Sequence, residues 1–145
     1  MLALLRRLFS RRSRFDAEPA RHGAGLRSED PDQRRRVVRN LRQPTPLLHV
    51  WRHDPEPRVR DAAGDRLRTL LVGGTAGLPL SEREALLADC RDPTLIAHVA
   101  RRGREPAIRL AAVRLASGER LLSEIIREDP DPAVREAARV RLAGD

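Results

Sequence analysis

Apolar residues recur along this chain at the spacing of one helix face, and the same short phrase returns several times. Val59, Ala62, Ala63 and Leu67 form one set, Ile108, Ala111, Ala112 and Leu115 a second, and Val134, Ala137, Ala138 and Leu142 a third. Steps of three and four residues lay such groups along one stripe of an α-helix. Each set follows a proline-led turn: Asp54-Pro-Glu-Pro57, Glu105-Pro106 and Asp129-Pro-Asp-Pro132. Proline suits the first helical position, where its missing N–H is no loss, and it drives the residue before it out of the α region. Each turn therefore ends one helix and starts the next.

The same signals divide the rest of the chain. Asp30 before Pro31 predicts a helix to about Arg42, and Thr45-Pro46 a second start with Leu47, Leu48, Val50 and Trp51 on its apolar side. The helix from Pro57 should reach Leu70 or Leu71, and residues 73–80 form the longest irregular stretch of the repeat region. Ser81-Glu-Arg-Glu84 reads as a capping box opening a helix that carries Ala85, Leu86, Leu87 and Cys90. Asp92-Pro93 and Pro106 open two more, Gly118 breaks the chain, and Leu121, Leu122, Ile125 and Ile126 face the penultimate helix. Residues 16–29, with Pro19, Gly23 and Gly25 and no clean periodicity, read as a linker.

Spacing makes the repeat quantitative. Arg60 to Arg109 is 49 residues and Arg109 to Arg135 is 26; Arg83 sits near the middle of the long gap and Arg35 lies 25 before Arg60. Five units of about 25 residues, the third degenerate, thus cover positions 30–145. A period of this length means stacked helix pairs that bury their faces on one another. The expected fold is all-α: a right-handed α-solenoid of short antiparallel helix pairs, about eight helices in all.

Composition changes this picture in two ways. At 40% hydrophobic and 34% charged the 145 residues suit a soluble globular chain, yet aromatics are only Trp51, Phe9 and Phe15, so Leu, Val, Ile and Ala must build the core. Every one of the 29 basic residues is Arg, and the net charge of +8 is concentrated in residues 1–42, which carry +7. Residues 1–15 set Leu2, Leu4, Leu5, Leu8 and Phe9 among Arg6, Arg7, Arg11, Arg12 and Arg14, the pattern of a short basic amphipathic helix. It could dock on the first repeat, lie on an anionic membrane surface, or meet nucleic-acid phosphates, the last together with Arg34, Arg35, Arg36, Arg39 and Arg42. A single Cys90, no apolar run near the length of a membrane span and no secretory signal pattern point to the cytoplasm.

Asp54 through Leu71 and Asp129 through Leu142 resemble the HEAT-like repeats of bacterial proteins, in which an Asp-Pro turn precedes Val-Arg-x-Ala-Ala-x-x-x-Leu. With Arg7-Leu8-Phe9, they also resemble the N-terminal part of a bacterial family that joins such repeats to a long helical domain of unknown function. The likeness covers residues 30–145 well and 1–15 loosely. It implies a scaffold that binds a protein partner, and departs from that family in ending at Asp145 without the helical domain. In HEAT-like stacks, arginines placed like Arg60, Arg109 and Arg135 commonly join an Asp/Arg ladder between units. The acids Glu56, Glu105 and Asp131, four residues before them, complete the candidate set. The last helix carries an interior-type face and is expected to be covered by something packed after it.

Enzymatic and metal chemistry find little support. His49 and His53 stand at i, i+4 without an evident third ligand, Gly73-Gly-Thr-Ala-Gly77 lacks the lysine and hydroxyl of a phosphate loop, and Cys90 has no recognisable catalytic partner. HEAT-like repeats occur in bilin lyases and in a class of DNA glycosylases, but no catalytic set is present here. The expectation is a non-enzymatic protein-binding scaffold without cofactor. Sequence-tolerant nucleic-acid binding through the Arg-rich N-terminal third, and membrane attachment through residues 1–15, are the alternatives.

Overall fold

The computed structural model describes residues 19–74 and 77–144, with side chains from Gly23 onward. Over these residues the protein is an all-α helical repeat. Its helices are α1 (Pro19–Leu26), α2 (Pro31–Asn40), α3 (Pro44–His53), α4 (Pro57–Val72), α5 (Leu80–Cys90), α6 (Pro93–Arg102), α7 (Pro106–Leu115), α8 (Glu119–Glu128) and α9 (Pro132–Gly144). The basic segment 1–15, including Arg6, Arg7, Arg11, Arg12 and Arg14, lies outside the described residues.

Proline sets most of the boundaries. It opens α2, α3, α4, α6, α7 and α9, and the turns before α2, α6 and α9 add an aspartate cap. Asp30 accepts from the Asp32 N–H at 2.9 Å, Asp92 from that of Leu95 at 2.9 Å, and Asp131 from those of Ala133 and Val134 at 2.9 and 3.1 Å. Each satisfies a backbone donor that the first helical turn leaves unpaired.

Three local expectations need correction. Residues 16–29 are not a continuous linker, because Pro19–Leu26 is helical and packs on α2. Gly25 reads as a breaker in sequence, but a Cβ there would collide with Val37 Cγ2, so the glycine permits close helix approach. The start of α3 is Pro44, itself buried, rather than Pro46. The capping box at Ser81 does not form: the Pro79 carbonyl accepts from the Glu82 and Arg83 N–H groups, both at 3.1 Å, so α5 begins at Leu80. With α1 added, the described residues hold nine helices instead of about eight.

The chain divides into two compact units at Arg66–Leu67, within α4. In the first, Val38, Leu41, Leu47, Val50, Val59 and Ala63 are buried. In the second, α7 packs against both α5 and α9, α6 packs against α8, and the pairs α6–α7 and α8–α9 pack together. This gives two layers, with Leu87, Leu95, Val99, Ile108, Ala112, Val113, Leu122, Val134 and Ala138 buried.

The division falls at the degenerate third repeat. No proline stands between Leu67 and Pro79, and α4 runs for 16 residues where α2 and α7 have 10. Gly73 and Gly74, at φ 95° and 108°, then end it. The stretch that would hold the third repeat's first helix is taken by the end of α4 and the connection to Pro79.

Candidate interaction surface

The helices that open the second half of each repeat carry an arginine three residues after their first residue: Arg34, Arg60, Arg83, Arg109 and Arg135. In each, one guanidinium nitrogen holds a backbone carbonyl just before the helix. Arg34 Nη1 donates to Ser28 O at 2.8 Å, Arg60 Nη1 to Asp54 O at 2.6 Å, Arg109 Nη1 to Gly103 O at 2.9 Å and Arg135 Nη1 to Asp129 O at 2.7 Å. Arg83, after a differently built turn, uses Nε on Leu78 O at 3.1 Å. These carbonyls lie beside helix ends, where backbone acceptors lack partners.

In three of the five, Arg34, Arg83 and Arg109, the remaining guanidinium edge reaches forward to the next repeat; among the described residues Arg60 and Arg135 make no such carboxylate contact. Arg34 donates through Nε and Nη2 to both oxygens of Asp54, at 2.9 and 3.2 Å. Arg109 does the same with Asp129, at 2.8 and 3.2 Å. Arg83 forks onto Glu105 through Nη1 and Nη2, both at 2.7 Å. The acid sits at the cap of the next repeat's first helix in two cases. In the third, Gly103 occupies that cap, and a Cβ there would lie 2.7 Å from Ile108 and 2.8 Å from the Val99 carbonyl. The longer Glu105, two residues on, supplies the carboxylate.

This is a ladder between units, but its acids differ from those expected. Glu105 pairs with Arg83 and not with Arg109. Asp131 caps α9, and Glu56 makes a long, exposed contact with Arg58 at 3.4 Å. Sequence spacing put Arg35 in the first unit's ladder position, whereas Arg34 occupies it, three residues after Pro31 as in the other proline-started copies. Arg34 is thereby removed from the candidate nucleic-acid contacts. Asp54 and Asp129, missed as ladder acids, could have been found as the aspartates that open the paired-proline turns.

Two smaller series accompany the ladder. Arg66 Nε donates to Leu41 O at 2.7 Å and Arg141 Nε to Ala116 O at 2.8 Å, each reaching back 25 residues to the end of the preceding repeat. Arg101 on α6 forks onto Glu124 on α8, at 2.8 and 2.9 Å. That bridge holds the Glu124 carboxyl below its ordinary range, as Arg83 does for Glu105. Beside it, burial and then Arg68, Arg102 and Arg101 push the His98 imidazole down.

An open groove of about 410 Å³ runs between the ends of α6 and α8. Arg101, Arg102, Glu124 and Glu128 line it together with the buried Arg109–Asp129 pair. It offers both signs of charge on a braced backbone, which suits hydrogen bonding to a polar polypeptide.

The remaining candidates stand apart from this groove in the sequence of elements. Arg36, Arg39 and Arg42 are exposed and Arg35 half-buried; among the described residues none has a carboxylate partner. His49 and His53 place their rings 4.8 Å apart on α3, and among the described residues no group of three metal-ligating side chains occurs. Cys90 is buried at the end of α5, with Sγ 3.5 Å from Leu87 O. Among the described residues no helix is long and apolar enough to cross a membrane. No family model, curated protein or solved structure matches the chain.

Proposed function

We propose that the chain is a non-enzymatic interaction scaffold, a HEAT-like repeat that presents the groove between α6 and α8 to a protein partner. The observation that carries this reading is the division of labour among charges around the groove. Arg109 and Asp129 are consumed in the repeat's own joint, while Arg102 and Glu128 stay exposed at the rim. A stiff frame with polar side chains already in place reduces the ordering cost of binding. The test is retention of a partner from cell lysate by the full chain and by variants Arg102→Glu and Glu128→Arg. A protein held by the wild type and released by both variants, at unchanged melting temperature, supports the proposal; a protein held equally by all three contradicts it.

A second reading is favoured by the exposed Arg36, Arg39 and Arg42. Nucleic-acid binding there would be sequence-tolerant and strongly salt-dependent, because guanidinium contacts to phosphate release counterions. Filter binding at low and moderate salt tests it: no retention at low salt removes it, and retention that falls steeply with salt and with Arg36→Gln/Arg39→Gln supports it.

A further inference from the structure

We propose that the end of α2 is a phosphate site for the backbone of a double-stranded nucleic acid, with Arg42 and Arg66 holding one phosphate and Arg35 and Arg39 lying along the strand. This rests on the nucleic-acid reading above and adds to it Arg66 and the form of the ligand. Arg66 comes from α4 and donates through Nε to the Leu41 carbonyl at 2.7 Å. That carbonyl belongs to the peptide that carries the Arg42 N–H, so two guanidinium side chains converge where α2 ends. Among the described residues neither has a carboxylate partner, and neither do Arg35 and Arg39. Burial first, and then the charge of Arg42, push the Arg66 guanidinium down, as two like charges held together without an acid must. A phosphate, which accepts two-pronged hydrogen bonds from guanidinium, relieves that repulsion.

The repeat does not need these charges for its own assembly. In the second unit Arg141 makes the same contact as Arg66, through Nε to Ala116 O at 2.8 Å, yet the residue after that carbonyl is Ser117. Counted from the ladder arginines Arg34 and Arg109, Leu110 stands for Arg35, Arg114 for Arg39 and Ser117 for Arg42. The joint is thus common to both units, while the arginine cluster is particular to the first. Arg35 and Arg39, at i and i+4, share one side of α2 about 6 Å apart along its axis, the scale of one step along a nucleic-acid strand. At the matching positions of α4 stand Asp61 and Asp65, which confine an anion to the α2 side. Among the described residues the only Phe, Tyr or Trp is Trp51, on α3, so unpaired bases find no such ring on α2 to stack on. A duplex, with its bases already stacked and its phosphates denser, is the ligand that matches.

The experiment titrates the full chain into a short labelled DNA duplex of mixed sequence, followed by fluorescence anisotropy at low and moderate salt, beside one of its strands alone. Saturable duplex binding is expected, roughly tenfold tighter than that of the single strand. Arg39→Gln and Arg42→Gln should each weaken it roughly fivefold and lower the salt slope by about one, while Arg114→Gln on α7 changes nothing. Arg42→Glu, which sets a carboxylate against Arg66, should weaken it further than Arg114→Glu. Arg39, Arg42 and Arg114 are all exposed, so these variants keep the fold. Duplex binding that Arg39→Gln and Arg42→Gln leave unchanged, an equal loss with Arg114→Gln, or a single strand bound as tightly as the duplex would each overturn the inference while leaving sequence-tolerant binding in place. No binding of either form at low salt would remove both.

Discussion

Arg109 and Asp129 meet with the geometry of Arg34 and Asp54 to within 0.1 Å, although the pairs belong to different compact units of the chain. In both, one carboxylate oxygen takes the arginine Nε and the other takes Nη2 together with a backbone N–H two residues on, from Glu56 at 3.0 Å and Asp131 at 2.9 Å. The aspartate shapes the turn that starts one helix while holding the previous repeat. Exposure of the paired side chains is 10% and 3% for Arg109 and Asp129, and 11% and 6% for Arg34 and Asp54. Such pairs set register more than they add net stability, since desolvation offsets much of the attraction.

The backward-reaching arginines cap carbonyls that their own helices leave unpaired. Arg141→Met keeps the stem's packing and removes the donor to Ala116 O, so it should cost about 1–3 kcal/mol, the range for a charged hydrogen bond to a partly buried acceptor. Arg66→Met should behave alike toward Leu41 O. Urea unfolding of each variant checks this; a loss below 0.5 kcal/mol, about the scatter for surface changes, would assign these contacts no part in the fold.

Gly73 and Gly77 both have left-handed backbone, at φ 95° and 81°, yet their surroundings differ. A Cβ at Gly73 would lie 2.5 Å from Arg83 Nη1 and 3.1 Å from Glu105, whereas nothing lies within 4 Å of one at Gly77. Gly77→Ala should cost only the strain of a left-handed alanine, about 1–2 kcal/mol. Gly73→Ala should cost more, because it also displaces the Arg83–Glu105 joint. Melting temperatures of the two variants decide the order, and equal losses would contradict the packing argument.

Acid should destabilise the fold in two stages. His98 faces Arg101 and Arg102 on its own helix and Arg68 on α4, and its pKa is lowered by burial first and then by these charges. A group depressed in the folded state adds stability above its unfolded pKa, about 6.5 for histidine, and loses it as pH falls through the folded value. Glu105 and Glu124, lowered mainly by their hydrogen bonds to Arg83 and Arg101, follow the same sign below about pH 4.3. Unfolding measured from pH 8 to 3 should show a first decline below pH 6.5 that His98→Gln removes, then a second that remains. A first stage unchanged by His98→Gln would place its cause elsewhere.

Sequence carried the repeat but not all its joints. Proline turns encode helix boundaries locally and the stripe Val59-Ala62-Ala63-Leu67 a buried face, so both are legible, whereas of Val134-Ala137-Ala138-Leu142 only Val134 and Ala138 are buried and Ala137 and Leu142 stay half-exposed. The ladder's partners were not legible, because Glu105 is four residues from Arg109 in sequence yet Arg109 anchors Nη1 on Gly103 O and swings its free edge to Asp129. Direction of that edge is a tertiary property. The α1 helix was hidden for a related reason: Gly25 signals flexibility in sequence, while its use here is the space it leaves for Val37.

A double-mutant cycle on Arg109 and Asp129, read by urea unfolding of the full chain, tests most directly whether the ladder is a structural joint. Arg109→Met alone and Asp129→Leu alone should each lose about 3–5 kcal/mol, because each strands a buried charge, while the double variant should recover most of that loss. Single variants within 1 kcal/mol of wild type, or losses that simply add, would contradict it.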